Sequence, residues 1–197
     1  MTDAMGTTGI EFADLGPFYL GLARRSLDDL MKIGGTPTPP HITKDGIVEE
    51  SPHYGHAVSC IVFSAVAVEH ELMRWIAIRI MFQSGNDRHR RLLMGAWPRR
   101  PRIDDMLEFV GLATKIDPDL LSKVRTLFDD RNGIVHSSVK MERKDLVGEA
   151  ADWEATVTMP KLTAGIVDMA KRDIQTAGYA IAALRAAVID SDWRGPT

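Results

Sequence analysis

Apolar residues recur at helical spacing along most of this 197-residue chain. The stripes predict six helices, over residues 16–33, 55–83, 86–94, 103–115, 118–138 and 161–190. The second of them is apolar nearly all round at its start, which is typical of the central helix of a bundle. The last has apolar residues stepping by four and three positions, which favours packing on another helix. The pattern therefore predicts an all-α antiparallel helical bundle.

Two stretches between the helices do not follow a helical pattern. The connection at residues 34–54 contains a proline-rich segment, and Lys44-Asp45-Gly46 permits a tiny hairpin within it. About twenty residues of connection is long for a compact domain, so this stretch is either an ordered surface loop or a flap near a site. Alternating apolar residues over residues 152–160 indicate a short strand. We therefore expect long peripheral loops and at most a very small β element.

Length and composition indicate a single domain over residues 13–190, with loose tails at residues 1–12 and 191–197. A chain with 45% hydrophobic and 26% charged residues is ordinary for a soluble globular protein. A net charge of −3 gives no global attraction to nucleic acid, so RNA binding requires a local patch. The sequence shows no signal peptide and no apolar run long enough to span a bilayer. These features predict a soluble, cytoplasmic protein without a membrane partner.

The stretch from Arg131 to His136 has residue types that indicate a functional site rather than a packed core. Asp117 as N-cap and Pro118 at the first helical position begin a helix whose apolar stripe, continued along the chain, reaches Arg131. A buried arginine must be paired, because leaving its charge unpaired strongly destabilises the fold. The chain therefore either needs the guanidinium for function or pairs it structurally with an acid.

Arg131, Asn132 and His136 resemble the signature of the HEPN (higher eukaryotes and prokaryotes nucleotide-binding) superfamily. The resemblance covers roughly residues 15–189 through its helical context, but only these three positions carry it specifically. It implies a compact α-helical domain. Many members are metal-independent ribonucleases of toxin, anti-phage or RNA-processing systems, and they act as dimers. The alternatives are a catalytically silent HEPN module that binds a nucleotide or partner protein, and a plain helical interaction protein.

The chemistry of RNA cleavage explains why these residue types matter. Attack of a ribose 2′-hydroxyl on its phosphate needs a base, an acid and a cation for the developing charge. Histidine serves as acid or base near neutral pH, and arginine binds phosphate oxygens bidentately. One chain supplies one His136 and one Arg131, so the resemblance implies a composite site across a homodimer interface that leaves 2′,3′-cyclic phosphate ends. Asn132, one turn before His136, would orient the ring or bind phosphate. No cofactor and no metal are expected.

One departure from the family pattern bears on regulation. In the HEPN branch paired with a nucleotidyltransferase antitoxin, a tyrosine stands two residues after the histidine, and here that position is Ser138. Control by nucleotide transfer onto a motif tyrosine is therefore not expected. A cognate antitoxin or other regulator remains the partner that a toxin-type member implies.

Two further sets of charged residues are candidate site residues. HEPN domains often place an acid in the helix that here carries Glu69 and Glu71, so Glu69 is the predicted partner of Arg131; the alternative is that both are solvated. A basic segment is predicted to follow an RNA backbone, with its tryptophan available for stacking: Arg88, Arg90, Arg91, Trp97, Arg99, Arg100 and Arg102. The alternative is a solvated turn whose arginines pair with acids such as Asp104 and Asp105.

Overall fold

A computed structural model describes residues 14–35, 37, 41–42, 48–49, 51–82, 102–135, 138–143, 153–158 and 165–187. This part contains five helices, α1 (Gly16–Ile33), α2 (Pro52–Phe82), α3 (Ile103–Ala113), α4 (Pro118–Val135) and α5 (Ile166–Ala186). Two antiparallel strand pairs accompany them, β1 (His41–Ile42) with β2 (Val48–Glu49) and β3 (Ser138–Arg143) with β4 (Trp153–Thr158). The predicted all-α bundle with small β elements is confirmed in the described residues.

The first two helices run antiparallel. The backbone N–H of Leu15, just before α1, donates to the His70 ring at 3.2 Å. At the other end, the carbonyl of Gly34 lies 2.8 Å from the Nε2 atom of His53, near the start of α2. α1 therefore runs along α2 for about five turns in the opposite direction.

The last helix runs parallel to α2, whereas α1 and α4 run antiparallel to it. Cys60 donates from Sγ to the carbonyl of Ala170 at 3.6 Å, and Trp75 donates from Nε1 to the carbonyl of Ala187 at 3.3 Å. The residue numbers rise together along both helices. The physical reason is the connection: α5 follows α4 and begins where α4 ends, so α5 takes the direction opposite to α4.

α3 and α4 run antiparallel to each other. Asp104, near the start of α3, pairs with Arg125, near the middle of α4, at 2.8 Å, whereas a Cβ added to Gly111, near the end of α3, would lie 3.1 Å from Leu121, near the start of α4. α4 also opposes α2, because Val124 lines a small apolar cavity with Val68 and Leu72, whereas the later residue Ile134 packs near the start of α2. We call the end of the bundle where α4 finishes and where α2 and α5 begin the motif end.

The core consists of two hydrophobic clusters that share α2. The larger cluster joins α2 to α1, α3, α4 and α5, and Leu72, Leu127 and Phe128 are among its most buried residues. The smaller cluster lies at the motif end and includes Ala57 and Ile61 of α2. α2 is apolar nearly all round because neighbouring helices cover it on several sides. None of the described helices has the length and apolar character that crossing a membrane requires.

The irregular parts of the chain agree with the sequence in kind but not in every bound. β1 and β2 pair as Ile42 with Val48, where the tiny hairpin is predicted, and β4 lies within the predicted strand at residues 152–160. α4 was predicted to continue to residue 138, which is wrong, because Ser138 begins β3 and pairs with Thr158. The predicted helix at residues 86–94 lies outside the described residues.

Candidate active site

Arg131 lies in the last turn of α4, half-buried at the edge of the core. Its guanidinium carbon is 5.6 Å from the centre of the Phe128 ring, one turn earlier. Since Phe128 is 2% exposed, the ring is a fixed platform on which the cation rests. The Nε atom of Arg131 is enclosed and has no hydrogen-bond partner within the described part of the chain. The apolar stripe thus brings Arg131 inward, as predicted, but only as far as the core's edge.

Arg131 is in no ion pair within the described residues, although two carboxylates lie at the motif end. Asp130 and Asp173 both contact the guanidinium of Arg172 instead. A half-buried arginine that no neighbouring acid neutralises keeps donors for a negatively charged ligand. Among the arginines whose side chains the structure describes, only Arg131 is both half-buried and in no ion pair there.

The residues that follow Arg131 complete the last turn of α4, and most of them are exposed. Asn132 and Gly133 are exposed, whereas Ile134 packs against the smaller core cluster and fixes the turn in place. Val135, the last residue of α4, is 51% exposed. The Asn132 amide is therefore accessible to a ligand that reaches Arg131.

His136, the third motif residue, lies outside the described residues. α4 ends one residue before it, and β3 begins two residues after it. The motif therefore extends from the last turn of α4 into the connection to β3. The prediction that Asn132 and His136 share one helical face stays a prediction.

The prediction that Arg131 pairs with Glu69 is wrong, because no such ion pair is present among the described residues. Glu69 is half-buried on α2, one residue beyond Val68, which lies beside Val124 of α4. Arg131 is seven residues further along α4 in the opposite direction, which separates the two side chains by about 10 Å along the helix axes. Glu69 and Arg131 therefore lie too far apart along the bundle axis to form an ion pair.

Glu71, not Glu69, is the buried acid of α2. It is 1% exposed, and its oxygens lie 3.1 Å from Nη1 of Arg74 and 3.0 Å from Nη2 of Arg185. Arg185 also contacts both oxygens of Asp14, each at 2.9 Å, and these acids raise the pKa of its guanidinium, with the Glu71 hydrogen bond as the main cause. The four side chains join α1, α2 and α5 at the end of the bundle opposite the motif end. Glu71 therefore has a structural role.

Asp173 is the buried acid at the motif end, and the sequence reasoning missed it. It is 1% exposed, and burial raises its pKa to about 7 despite the opposing effect of Arg172. Burial also raises the pKa of Asp130. The signal was present in the sequence, because Asp173 stands three residues after Ala170 on the apolar seam of α5. A charge at a seam position is the same signal that singled out Arg131.

The basic segment is described only at its last residue, Arg102, whose side chain is exposed. The alternative partners of its arginines have other contacts: Asp105 accepts the backbone N–H of Arg102 at 3.1 Å, and Asp104 pairs with Arg125. Asp104, two residues after Arg102, pairs with Arg125, which precedes Arg131 by six residues, or about 9 Å of helix. The other members lie outside the described residues: Arg88, Arg90, Arg91, Trp97, Arg99 and Arg100.

Metal-ligating and nucleophilic side chains are not grouped in the described residues. No set of three His, Cys, Asp or Glu side chains there could hold a metal ion. Burial raises the pKa of the Cys60 thiol to about 12, so the group is a protonated core side chain and not a thiolate. The charged and amide side chains described at the motif end include those of Asp130, Arg131, Asn132, Arg172 and Asp173.

Comparisons with protein-family models, with curated proteins and with solved structures find no match for this chain. The resemblance to the HEPN superfamily consequently depends on the three motif positions and on their helical context.

Proposed function

We propose that this protein is a HEPN-type, metal-independent endoribonuclease with Arg131, Asn132 and His136 in its active site. The observation that carries the proposal is the state of Arg131: a guanidinium fixed on Phe128, enclosed on one side, and in no ion pair within the described residues. A structural ion pair with Glu69 was the competing explanation for this arginine, and that pair is absent there. A phosphate is the ligand that such a site suits best.

Cleavage would follow from the groups that the motif brings together. A base removes the proton of the ribose 2′-hydroxyl, and the 2′-oxygen bonds to the adjacent phosphorus. Arg131 stabilises the charge on the phosphate oxygens, Asn132 binds or orients a neighbouring group, and an acid protonates the departing 5′-oxygen. The products are a 2′,3′-cyclic phosphate and a 5′-hydroxyl. RNA supplies the nucleophile as well as the phosphate.

One histidine per chain requires a second copy for the base and acid pair. We therefore propose a two-fold homodimer in which two motif ends face each other, and the 51% exposure of Val135 beside the motif supports an interface there. Light scattering at micromolar concentration should report about twice the 21.8 kDa chain mass. A strict monomer would remove the composite site and favour the catalytically silent module that binds a nucleotide or partner protein.

The proposed activity has a cellular setting and a partner class. We propose that the protein cleaves RNA in the cytoplasm. Unrestrained cleavage would harm its own cell, so a toxin or phage-defence role with a cognate antitoxin or regulator accompanies the proposal. The basic segment ending at Arg102 would follow the RNA backbone. Its described end lies near Arg125, about 9 Å of helix before Arg131, and this proximity supports a shared RNA path.

The proposal is tested with purified protein and a labelled RNA that offers unstructured loops. We expect cleavage to persist in EDTA, because none of the proposed steps uses a metal, and the fragments to carry 2′,3′-cyclic phosphate ends. An otherwise identical RNA with one deoxyribose at the cleaved position is the matched control and should resist cleavage there. A strict need for a divalent ion, or cleavage at the deoxyribose position, would contradict the mechanism. RNA binding without cleavage would support the silent module.

A further inference from the structure

Asp173 is a buried acid beside the motif, and within the described residues only one of its two carboxylate oxygens has a hydrogen-bond partner. Its Oδ1 accepts from Nε of Arg172 at 3.0 Å and lies 2.9 Å from Nη2 of the same side chain. Its Oδ2 is enclosed and has no hydrogen-bond partner within the residues that the structure describes. A carboxylate in this state weakens a fold, because its desolvation is not fully compensated. Its presence calls for a reason other than stability.

Arg172 connects Asp173 to the motif helix. Its Nη2 also contacts Oδ2 of Asp130, the residue immediately before Arg131. We call Asp130, Arg172 and Asp173 the α4–α5 clamp, in which one guanidinium binds two carboxylates. The side chain of Arg172 is 51% exposed, so its orientation depends on these two partners, of which Asp173 is the buried and fixed one.

We propose that Asp173 is a positioning residue for the RNA-cleaving site: it fixes Arg172, which holds Asp130 and thereby the last turn of α4 that carries Arg131. The inference rests on the proposed function, and Asp173 itself touches no substrate. The exact position of Arg131 matters for catalysis, because a displacement of about 1 Å can slow a reaction by about 10²-fold. A buried acid that weakens the fold while positioning the site is a trade of stability for activity.

The charges around Asp173 are consistent with this role. Arg172 faces it from α5, Asp130 and its neighbour Asp129 lie on α4, and Cys60 lies on α2. Burial raises the pKa of Asp173 to about 7, above the ordinary 3.8. The stability that the protonated form contributes is therefore full below about pH 4 and is lost as the pH rises through about 7. At pH 8 a neutral residue of the same shape should make the fold more stable.

The decisive variant is Asp173→Asn, which keeps the shape and one acceptor oxygen for Arg172 but removes the charge. At pH 8 we expect it to unfold about 3 °C or more above the wild type, with the difference vanishing toward pH 4. We also expect kcat for RNA cleavage to fall about 10-fold with little change in KM, because Arg131 is displaced from the phosphate while RNA still binds. A merely structural acid would not produce a more stable and slower enzyme.

Asp168→Asn is the matched control on the same helix. The Asp168 side chain is 86% exposed and lies 4.0 Å from Lys171, so neither melting temperature nor kcat should change. Arg172→Lys keeps the charge but cannot bind both carboxylates through one planar group, and it should lower kcat as Asp173→Asn does. Amide hydrogen exchange at residues 132–135 gives a reading independent of activity and should be faster in both clamp variants.

The outcomes separate this inference from the proposed function. If Asp173→Asn is more stable at pH 8 and exchanges faster at residues 132–135 while the wild type cleaves no RNA, the clamp holds α4 and the ribonuclease proposal fails. If the variant cleaves RNA like the wild type and its exchange is unchanged, the positioning role is overturned. A variant that is less stable at pH 8 and also less active would make Asp173 an ordinary structural partner of Arg172, which overturns it too.

Discussion

His136→Ala is expected to cleave RNA about 10²-fold or more slowly than the wild type while remaining folded. Alanine can neither accept the proton of the 2′-hydroxyl nor donate one to the departing 5′-oxygen. The change removes a single polar ring at the point where the chain leaves α4, beyond Val135. Initial rates with a labelled RNA give the loss of activity, and thermal unfolding followed by circular dichroism shows whether the fold is kept.

Gly133→Ala is a matched control inside the same motif. Gly133 is helical and exposed, and a Cβ added there meets no atom within 4 Å. We expect this variant to cleave RNA like the wild type and to be more stable by up to about 1 kcal/mol, because alanine favours the helix. Undiminished cleavage by His136→Ala would sink the proposed mechanism, whereas equal losses in both variants would point to distortion of the helix end.

The same assay applied to Arg131→Ala separates catalysis from packing. Had Arg131 paired with Glu69, its removal would have stranded a buried charge and destabilised the fold strongly. Within the described residues the side chain contacts the Phe128 ring and no acid, so the expected loss is only about 0.5–1 kcal/mol of stability. The loss of cleavage should therefore exceed the loss of stability by a wide margin.

Local patterns in the sequence were sufficient to predict the helices. α1 was predicted over residues 16–33 and has those bounds, because the helix ends where Gly34 and Gly35 adopt positive φ values of 65° and 80°. Glycine takes that backbone conformation without steric strain, so it terminates helices predictably. The apolar character of α2 likewise predicted its central place, since only a helix covered on several sides can be apolar nearly all round.

The sequence could not show which residues of different helices lie opposite each other in the bundle. Spacing placed Glu69 and Glu71 on one helix but did not say which of them faced inward, nor which residues of α4 and α5 lay opposite. The structure places Glu71 inward and opposite Arg185, whereas Arg131 lies near the other end of the bundle. Such long-range pairings depend on the relative shifts of whole helices, which no local pattern encodes.

Asp173 was missed for a different reason. The apolar members of the α5 seam predict a packing face, and Asp173 interrupts that face as Arg131 interrupts the apolar stripe of α4. The structure shows that both charges lie at the motif end. A charged residue at an apolar seam position thus marks a side chain that needs a partner or a function, as Glu71 of α2 has in Arg74 and Arg185.

Glu71→Ala is expected to lower the free energy of unfolding by about 2–3 kcal/mol. Glu71 is 1% exposed and accepts hydrogen bonds from Arg74 and Arg185, so its removal leaves two guanidinium groups without their buried partner. Their side chains are 29% and 39% exposed and can turn toward water, which keeps the loss at the lower end for a broken buried pair. Denaturant unfolding at pH 7 measures the change.

Glu69→Ala is the matched control, two residues earlier on the same helix. Its side chain is half-buried and makes no ion pair in the described part of the chain, so the change should stay within about 0.5 kcal/mol. Glu71→Ala should also loosen the start of α1. Arg185 links Glu71 to Asp14, just before that helix. The first helical residue, Gly16, packs so closely on Glu71 that a Cβ there would lie 3.1 Å from its carboxylate. Faster amide exchange in the first turn of α1 would reveal this. Equal stability losses at the two glutamates would contradict the assignment of Glu71 as the acid that holds α1, α2 and α5 together.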